Sequence, residues 1–177
     1  MKQTGSDISW NDIVIEARKA EAFRSIINPD YNEFYAGGNM VSKIQDFCRK
    51  TGQLVPETVG QVARCIYESL ALRYRLALEG LEGVKGEKIE SLNIVGGGIQ
   101  NKLLNQMVAD SLNRVVITGP VEGAAIGNLL GQAMALGVIK DLDDLRRVVR
   151  NSEPVEEYHP NHTEAWDAAY QRMLSYR

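Results

Sequence analysis

Cysteine is scarce: Cys48 and Cys65 are the only two in 177 residues, and neither stands in a Cys-x-x-Cys pair. A disulfide-stapled secreted scaffold and a thioredoxin-type redox motif are both excluded, and a reducing cytoplasm is the expected setting. Nor is there an excess of cations, because 20 Lys and Arg face 23 Asp and Glu for a net charge of -3. A general electrostatic grip on nucleic acid needs clustered positive charge, so that class of partner is set aside. No long hydrophobic run survives intact: the most apolar window, 121–139, is broken by Glu122, Asn128 and Gln132, and no membrane span or membrane partner is expected. The N-terminus, with Lys2, Asp7, Asn11 and Asp12, carries no apolar signal-peptide core. His159 and His162 are the only histidines, in a polar His-Pro-Asn-His stretch without a convincing set of further ligands nearby, so no metal site is expected. What is left, 44% hydrophobic and 24% charged residues without repeats, fits one globular domain.

The first eighty residues read as helical. Ser9 is placed to cap a helix over 10–23 with Trp10, Ile13, Ala17 and Ala20 on one face, and Met40 to about Lys50 predicts a short helix closed by Thr51-Gly52. Between them, Tyr31, Phe34 and Tyr35 are expected to pin a loop to the body. The longest helix is predicted over 56–79, apolar on two sides and so sandwiched in the interior, with Gly80, Gly83 and Gly86 punctuating the loop behind it. Cys48 and Cys65, on consecutive helices, read as small buried apolar groups that could be neighbours.

Around residue 89 the period changes. Leu92-Asn93-Ile94-Val95 reads as a strand ending in Gly96-Gly97-Gly98; a helical pattern follows to Leu112, and 114–118 is a second strand apolar enough to be covered on both faces. Two strands joined by one helix predict a βαβ unit with parallel strands. A helix over 122–136 comes next, then one capped by Asp141, and last one burying Trp166, Ala169, Tyr170 and Met173 behind an Asn161/Glu164 capping box.

The triple glycine between strand and helix is the most informative local feature. It is neither a Walker A loop, having no Gly-Lys-Ser or Gly-Lys-Thr, nor Gly-x-Gly-x-x-Gly, since its last position is Asn101. Such a turn can be purely structural, or it can bring backbone close to a ligand at the start of a helix, where free amides favour anions and polar groups. Asn101, in the first turn, can accept from and donate to a ribose or purine edge, or simply cap the helix; Gln100 and Asn105 read as solvated or capping. Gly123, Gly127 and Gly131 recur every four residues, each unfavourable by about 1 kcal/mol relative to Ala, and close packing is the expected compensation. Glu122 sits where it can complement the helix dipole.

Several stretches together resemble one family. Ile94-Val95-Gly96-Gly97-Gly98-Ile99-Gln100-Asn101, followed by Leu103-Leu104-Asn105-Gln106 and Ala109-Asp110, is similar to the adenosine-side motif of the FGGY carbohydrate kinases. Gly119-Pro120-Val121-Glu122-Gly123-Ala124-Ala125-Ile126-Gly127-Asn128 resembles that family's next motif, and the resemblance extends upstream through the stretches 47–53 and 64–74. It implies an α/β fold: a helix-rich part of the C-terminal lobe of the actin-like ATPase (ribonuclease H-like) fold, containing a βαβ unit. It also implies ATP with Mg²⁺, a sugar as phosphoryl acceptor, and an Asp that accepts the proton of the attacking hydroxyl. By motif matching, Gly97 and Asn101 contact the nucleotide while Gly96 and Gly98 shape the turn. Gly123 departs from the larger residue usual there and is expected to loosen its helix slightly.

The family's Asp-x-Gly phosphate turn occurs nowhere in the sequence, and neither does a segment carrying the catalytic Asp. Phosphoryl transfer depends on all such parts being in place. The resemblance therefore implies a truncated C-terminal lobe over 1–177, with no catalytic residue and no turnover of its own. Another sugar kinase of the family and a non-catalytic nucleotide-binding module are the alternatives. Of the five strands of an actin-like sheet only two are evident, so an unpaired edge or an uncovered face is expected, and with it self-association.

Overall fold

The computed structural model describes residues 8–176; Lys2 and Asp7, on which part of the N-terminal reading rests, lie outside the described residues. Helix α1, Trp10–Lys19, begins in a capping box in which the Ser9 hydroxyl accepts from Asp12 N and the Asp12 carboxylate accepts from Ser9 N. It ends four residues earlier than its pattern predicts. The reason is tertiary: Arg64 donates through Nη1 to the carbonyls of Ala17, Arg18 and Ala20, satisfying the helix end, and Phe23 then adopts a left-handed φ of 54°.

A one-turn helix α2, Asn32–Tyr35, and α3, Met40–Lys50, lead to α4, Val59–Lys85. The Thr58 hydroxyl and the Gln61 amide form the capping box of α4, and Gly86, at φ 77°, provides its left-handed stop. Gly80 and Gly83 lie inside this helix rather than in a loop, on its exposed side where a Cβ would meet nothing within 4 Å. Their weak helix propensity is offset by the packing of the opposite faces.

Those faces carry α1, α5 (Lys102–Leu112) and α8 (Glu164–Leu174), so α4 is the interior helix that its two-sided pattern predicts. Ala71 and Leu72 join Met107, Val108, Trp166, Ala169, Tyr170 and Met173 in the main core, with Phe23 edge-on to Trp166 at 4.9 Å. A second cluster gathers Ile27, Ile44, Phe47, Cys48, Val62 and Cys65. Tyr31 and Phe34 pack on Phe47 at 5.0 and 5.8 Å and so pin the loop, whereas Tyr35 is left out at 74% exposure. Cys48 and Cys65 are neighbours, buried and free; the hydrogen bond with Cys48, then burial, pushes the Cys65 thiol up.

Helices α1 and α4 meet at Gly60, where an added Cβ would lie 2.7 Å from the Glu16 carbonyl carbon and closer still to its oxygen. Backbone cannot yield as a side chain does. Gly60→Ala is expected to destabilise the chain by about 1–3 kcal/mol, in spite of alanine's better helix propensity, as read by urea denaturation.

The sheet is ordered β1-β2-β3, with β1 at Ser91–Ile94, β2 at Val115–Thr118 and β3 at Glu156–Tyr158. β1 and β2 are parallel, with Leu92 opposite Val116 and Ile94 opposite Thr118, around α5 as the βαβ pattern predicts. β3 is an addition to the expected organisation, antiparallel to β2 with Val116 opposite Tyr158. Its sequence is too short and polar to announce a strand; side chains of α5 seat it. Gln106 Nε2 donates to His159 O at 2.8 Å, Asp110 Oδ1 accepts from Asn161 N at 2.9 Å, and Lys102 pairs with Glu156 at 2.5 Å.

Leu92, Ile94, Val116 and Tyr158 turn one face of the sheet into the core, while Asn93, Ile117 and Glu157 line a groove of about 950 Å³ beneath α7 (Leu142–Ser152). β2 is therefore fully buried on one face only, through Val116 and Thr118, contrary to the two-sided coverage suggested by its apolar run. Asp141 caps α7, its Oδ1 accepting from Asp144 N at 2.9 Å. The Asn161/Glu164 capping box does not form: Thr163 is the N-cap of α8 without a side-chain bond, because Asn161 instead gives its backbone N–H to Asp110. Among the described residues no helix is long and apolar enough to cross a membrane.

Candidate functional site

The carboxyl ends of parallel strands are where open α/β sheets bind ligands, since the loops leaving them diverge and helix N-termini point into the crevice. Here the two loops are tied together. Gly119 N donates to Ile94 O and Gly96 N donates to Pro120 O, both at 3.0 Å, so the β1 turn and the β2 turn move as one unit. Gly96 adopts φ 93°, a conformation that side chains resist, and the chain then makes a 3-10 turn over Gly97–Gln100. A Cβ on Gly97 or Gly98 would meet nothing within 4 Å. These two glycines are thus not demanded by packing; they leave bare backbone exposed beside the start of α5.

Asn101 is the N-cap of α5, its Oδ1 accepting from Leu104 N at 3.1 Å. Burial pushes the Tyr67 phenol on α4 up, opposed by the polar side chain of Asn101 beside it. Capping engages the oxygen, and the amide nitrogen is the part of the side chain able to donate to a ligand. Asn105, read as solvated or capping, is instead 2% exposed and donates to Ile99 O at 2.7 Å, clamping the glycine turn from behind. The Asn-x-x-x-Asn spacing, one helical turn between a cap and a second amide, was the available signal for that clamp.

On the β2 side, α6 spans Gly123–Ala135 with Glu122 at its N-cap, making no side-chain cap. A Cβ on Gly123 would lie 3.1 Å from Val95 Cβ, so this glycine draws α6 against the β1 turn instead of loosening it. Gly127 and Gly131 do not share that role: a Cβ on either meets nothing within 4 Å, and the expected packed stripe of three reduces to Gly123. The structure therefore brings Gly96, Gly97, Gly98 and Asn101 together on one open surface. His159 and His162 take no part; His159 Nε2 stands 3.6 Å from a Glu157 oxygen, and among the described residues no three His, Cys, Asp or Glu side chains are grouped to hold a metal ion.

The sequence signature of the FGGY family of carbohydrate kinases, C-terminal domain, matches residues 3–136. The chain is 46% identical over 164 residues to a rhamnulokinase of Bacteroides thetaiotaomicron, covering 93% of this chain and 34% of that protein. It is 41% identical over 159 residues to a rhamnulokinase of Bacillus subtilis, covering 90% of the chain and 33% of the relative. The chain thus spans about a third of the length of these relatives. Among solved structures, it is similar to a xylulose kinase from Rhodospirillum rubrum (TM-score 0.69, 21% identity, 97% of this chain and 34% of that one). It is also similar to a gluconate kinase from Lactobacillus acidophilus (TM-score 0.68, 16% identity, 99% and 35%). At such identities the likeness is one of fold: a helix-rich α/β piece of the actin-like ATPase architecture.

Proposed function

Because the chain belongs to the FGGY family of carbohydrate kinases, we propose that it is the nucleotide-side, C-terminal portion of an L-rhamnulokinase. The whole enzyme would transfer the γ-phosphoryl group of ATP to O1 of L-rhamnulose, giving L-rhamnulose 1-phosphate and ADP in cytoplasmic rhamnose breakdown. The observation that carries this reading is the bare glycine turn, joined to the β2 loop by paired backbone bonds. The identities of 39–46% to rhamnulokinases favour that sugar over the fuculose or xylulose of sister kinases.

The residues fit a nucleotide on two counts: exposed backbone at Gly97 and Gly98, and an Asn101 amide nitrogen able to donate while its oxygen caps the helix. Gly97 and Asn101 would hold the nucleoside, with Gly96 and Gly98 setting the path of the turn. Mg²⁺ would travel with the ATP phosphates, where it offsets their charge; the described residues offer it no carboxylate set. With no base and no phosphate turn in its sequence, the chain alone would not phosphorylate sugar. Its open sheet edge would favour self-association as concentration rises, read by size-exclusion chromatography.

Nucleotide contact can be separated from capping at one position. Asn101→Ser keeps a capping oxygen and loses the amide N–H; Asn101→Ala loses both. Both variants are expected to bind ATP about 2–10-fold more weakly in calorimetric titration, from the loss of one hydrogen bond of about 0.5–1.5 kcal/mol. Only Asn101→Ala should also lose about 1 kcal/mol of stability. Unchanged ATP affinity in Asn101→Ser would remove Asn101 from the nucleotide site.

A further inference from the structure

Gly97 and Gly98 have no packing partner at Cβ, and glycine backbone left to itself samples many shapes. A site made of such backbone gains affinity when its neighbours hold it in the bound shape beforehand. One carbonyl of the turn is held from the helix that follows: Asn105, 2% exposed, donates through Nδ2 to Ile99 O at 2.7 Å. Beside the Asn105 side chain stands the phenol of Tyr158 on β3, pushed up by burial and lowered again by that amide. The Tyr158 ring packs on the main core, opposite Val116, and its hydroxyl donates to Glu156 Oε2 at 2.7 Å. The other oxygen of this carboxylate, Oε1, accepts from Lys102 Nζ at 2.5 Å. Lys102 is the first residue of α5, next to the Asn101 cap. Ile99, Asn105, Tyr158, Glu156 and Lys102 therefore form a ring around the first turn of α5, closed by the backbone through Asn101.

We infer that Asn105, Tyr158 and Glu156 are positioning residues for the nucleotide: they touch no ligand themselves, and they hold the 97–100 turn in the shape that presents its backbone. The inference rests on the proposed reading of that turn as the nucleotide site, and it adds that β3, far along the chain, sets part of the affinity. The family signature ends at residue 136, so Glu156 and Tyr158 lie outside the segment that identifies the family. The Lys102–Glu156 pair is exposed on both sides, and such a pair contributes little by itself. Its place in the ring is to fix the carboxylate that orients the Tyr158 hydroxyl. Asn105 then carries the constraint inward, because a buried amide with a carbonyl to satisfy has few alternative positions.

The test reads the 177-residue chain in two ways: amide hydrogen exchange over 97–101 without nucleotide, and calorimetric titration with ATP. Tyr158→Phe removes only the hydroxyl and keeps the ring in the core. It is expected to speed exchange in the turn and to weaken ATP binding, each by about 3–10-fold, while exchange in α4 stays as in the wild type. Glu156→Ala should act in the same direction, and Glu156→Gln, which keeps an acceptor for Tyr158, should recover part of the loss. Asn105→Ala opens the ring at its buried member, so adding Tyr158→Phe to it should weaken ATP binding no further. The inference is overturned if Tyr158→Phe leaves turn exchange or ATP affinity unchanged, or if its effect persists in full on the Asn105→Ala background. A turn that loosens as expected in a chain whose wild type binds no ATP upholds the ring as a brace and defeats the nucleotide reading.

Discussion

Glu68→Ala is expected to be the most damaging single substitution in this chain, lowering stability by about 3–5 kcal/mol, the range for removing one partner of a buried ion pair. For a domain of this size that corresponds to a fall in Tm of roughly 6–20 °C. Glu68 is 1% exposed, yet both its oxygens are engaged: Oε1 accepts from Arg64 Nε at 2.7 Å and Oε2 from Phe23 N at 2.9 Å. Arg64 in turn holds the end of α1, and Arg172 on α8 donates to Phe23 O. Three helices and the 20–27 segment therefore meet at one carboxylate. Its loss strands the Arg64 guanidinium and leaves the Phe23 amide without an acceptor. Glu68→Gln, which keeps an acceptor for that amide, should be milder. Urea denaturation placing Glu68→Ala within 1 kcal/mol of the wild type would contradict this account of the junction.

The same residue predicts a pH dependence. Burial, opposed by the bond and charge of Arg64, holds the Glu68 carboxyl above its ordinary value of 4.5. A group raised in the folded state is protonated more readily there than in the unfolded chain, so its favourable contribution is complete below 4.5 and disappears as pH rises through the raised value. Over that window the stability of the wild type relative to Glu68→Gln should fall with increasing pH. A difference that rises with pH would mean that Arg64, and not burial, dominates.

Gly119→Ala is expected to have the second largest effect and to reach the candidate site. At φ 127°, a conformation that L side chains rarely adopt, an added Cβ would stand 2.6 Å from Pro154 O and 3.6 Å from Val155 Cα. The backbone conformation and the overlap should together lower stability by about 2–3 kcal/mol. Relief requires separating the end of β2 from the segment that leads into β3, and the Gly119 N to Ile94 O bond that ties the two loops breaks with it. ATP affinity and stability should therefore fall together. Gly127→Ala provides the contrast: its Cβ meets nothing, so it should stabilise the chain by up to about 1 kcal/mol through helix propensity. Parallel urea titrations of the two variants and one ATP titration of Gly119→Ala read all three expectations.

The glycine turn and its strand–turn–helix setting were legible in the sequence because they are local: a short β run, three glycines and a helical period follow one another without interruption. The roles of Asn105 and Gly123 were not, since the first depends on how tightly Ile99 O curls back and the second on a contact with Val95, 28 residues away. The packed stripe read from Gly123, Gly127 and Gly131 assumed that equal spacing meant an equal environment. Only the first of the three meets another element.

By itself the sequence determined the caps of α1 at Ser9 and α7 at Asp141, the parallel βαβ unit, and the place of the glycine turn 96–98 between β1 and Asn101. Each follows from periodicity or from backbone chemistry local to its own segment. The tertiary structure alone decided where α1 stops, that α4 runs on through Gly80 and Gly83, that the polar 156–158 segment is a strand, and that α6 is left uncovered. In each of these, partners far along the chain supply or withhold what local propensity lacks: Arg64 for the carbonyls of α1, the side chains of α5 for β3, and for α6 no partner among the described residues that buries its apolar face.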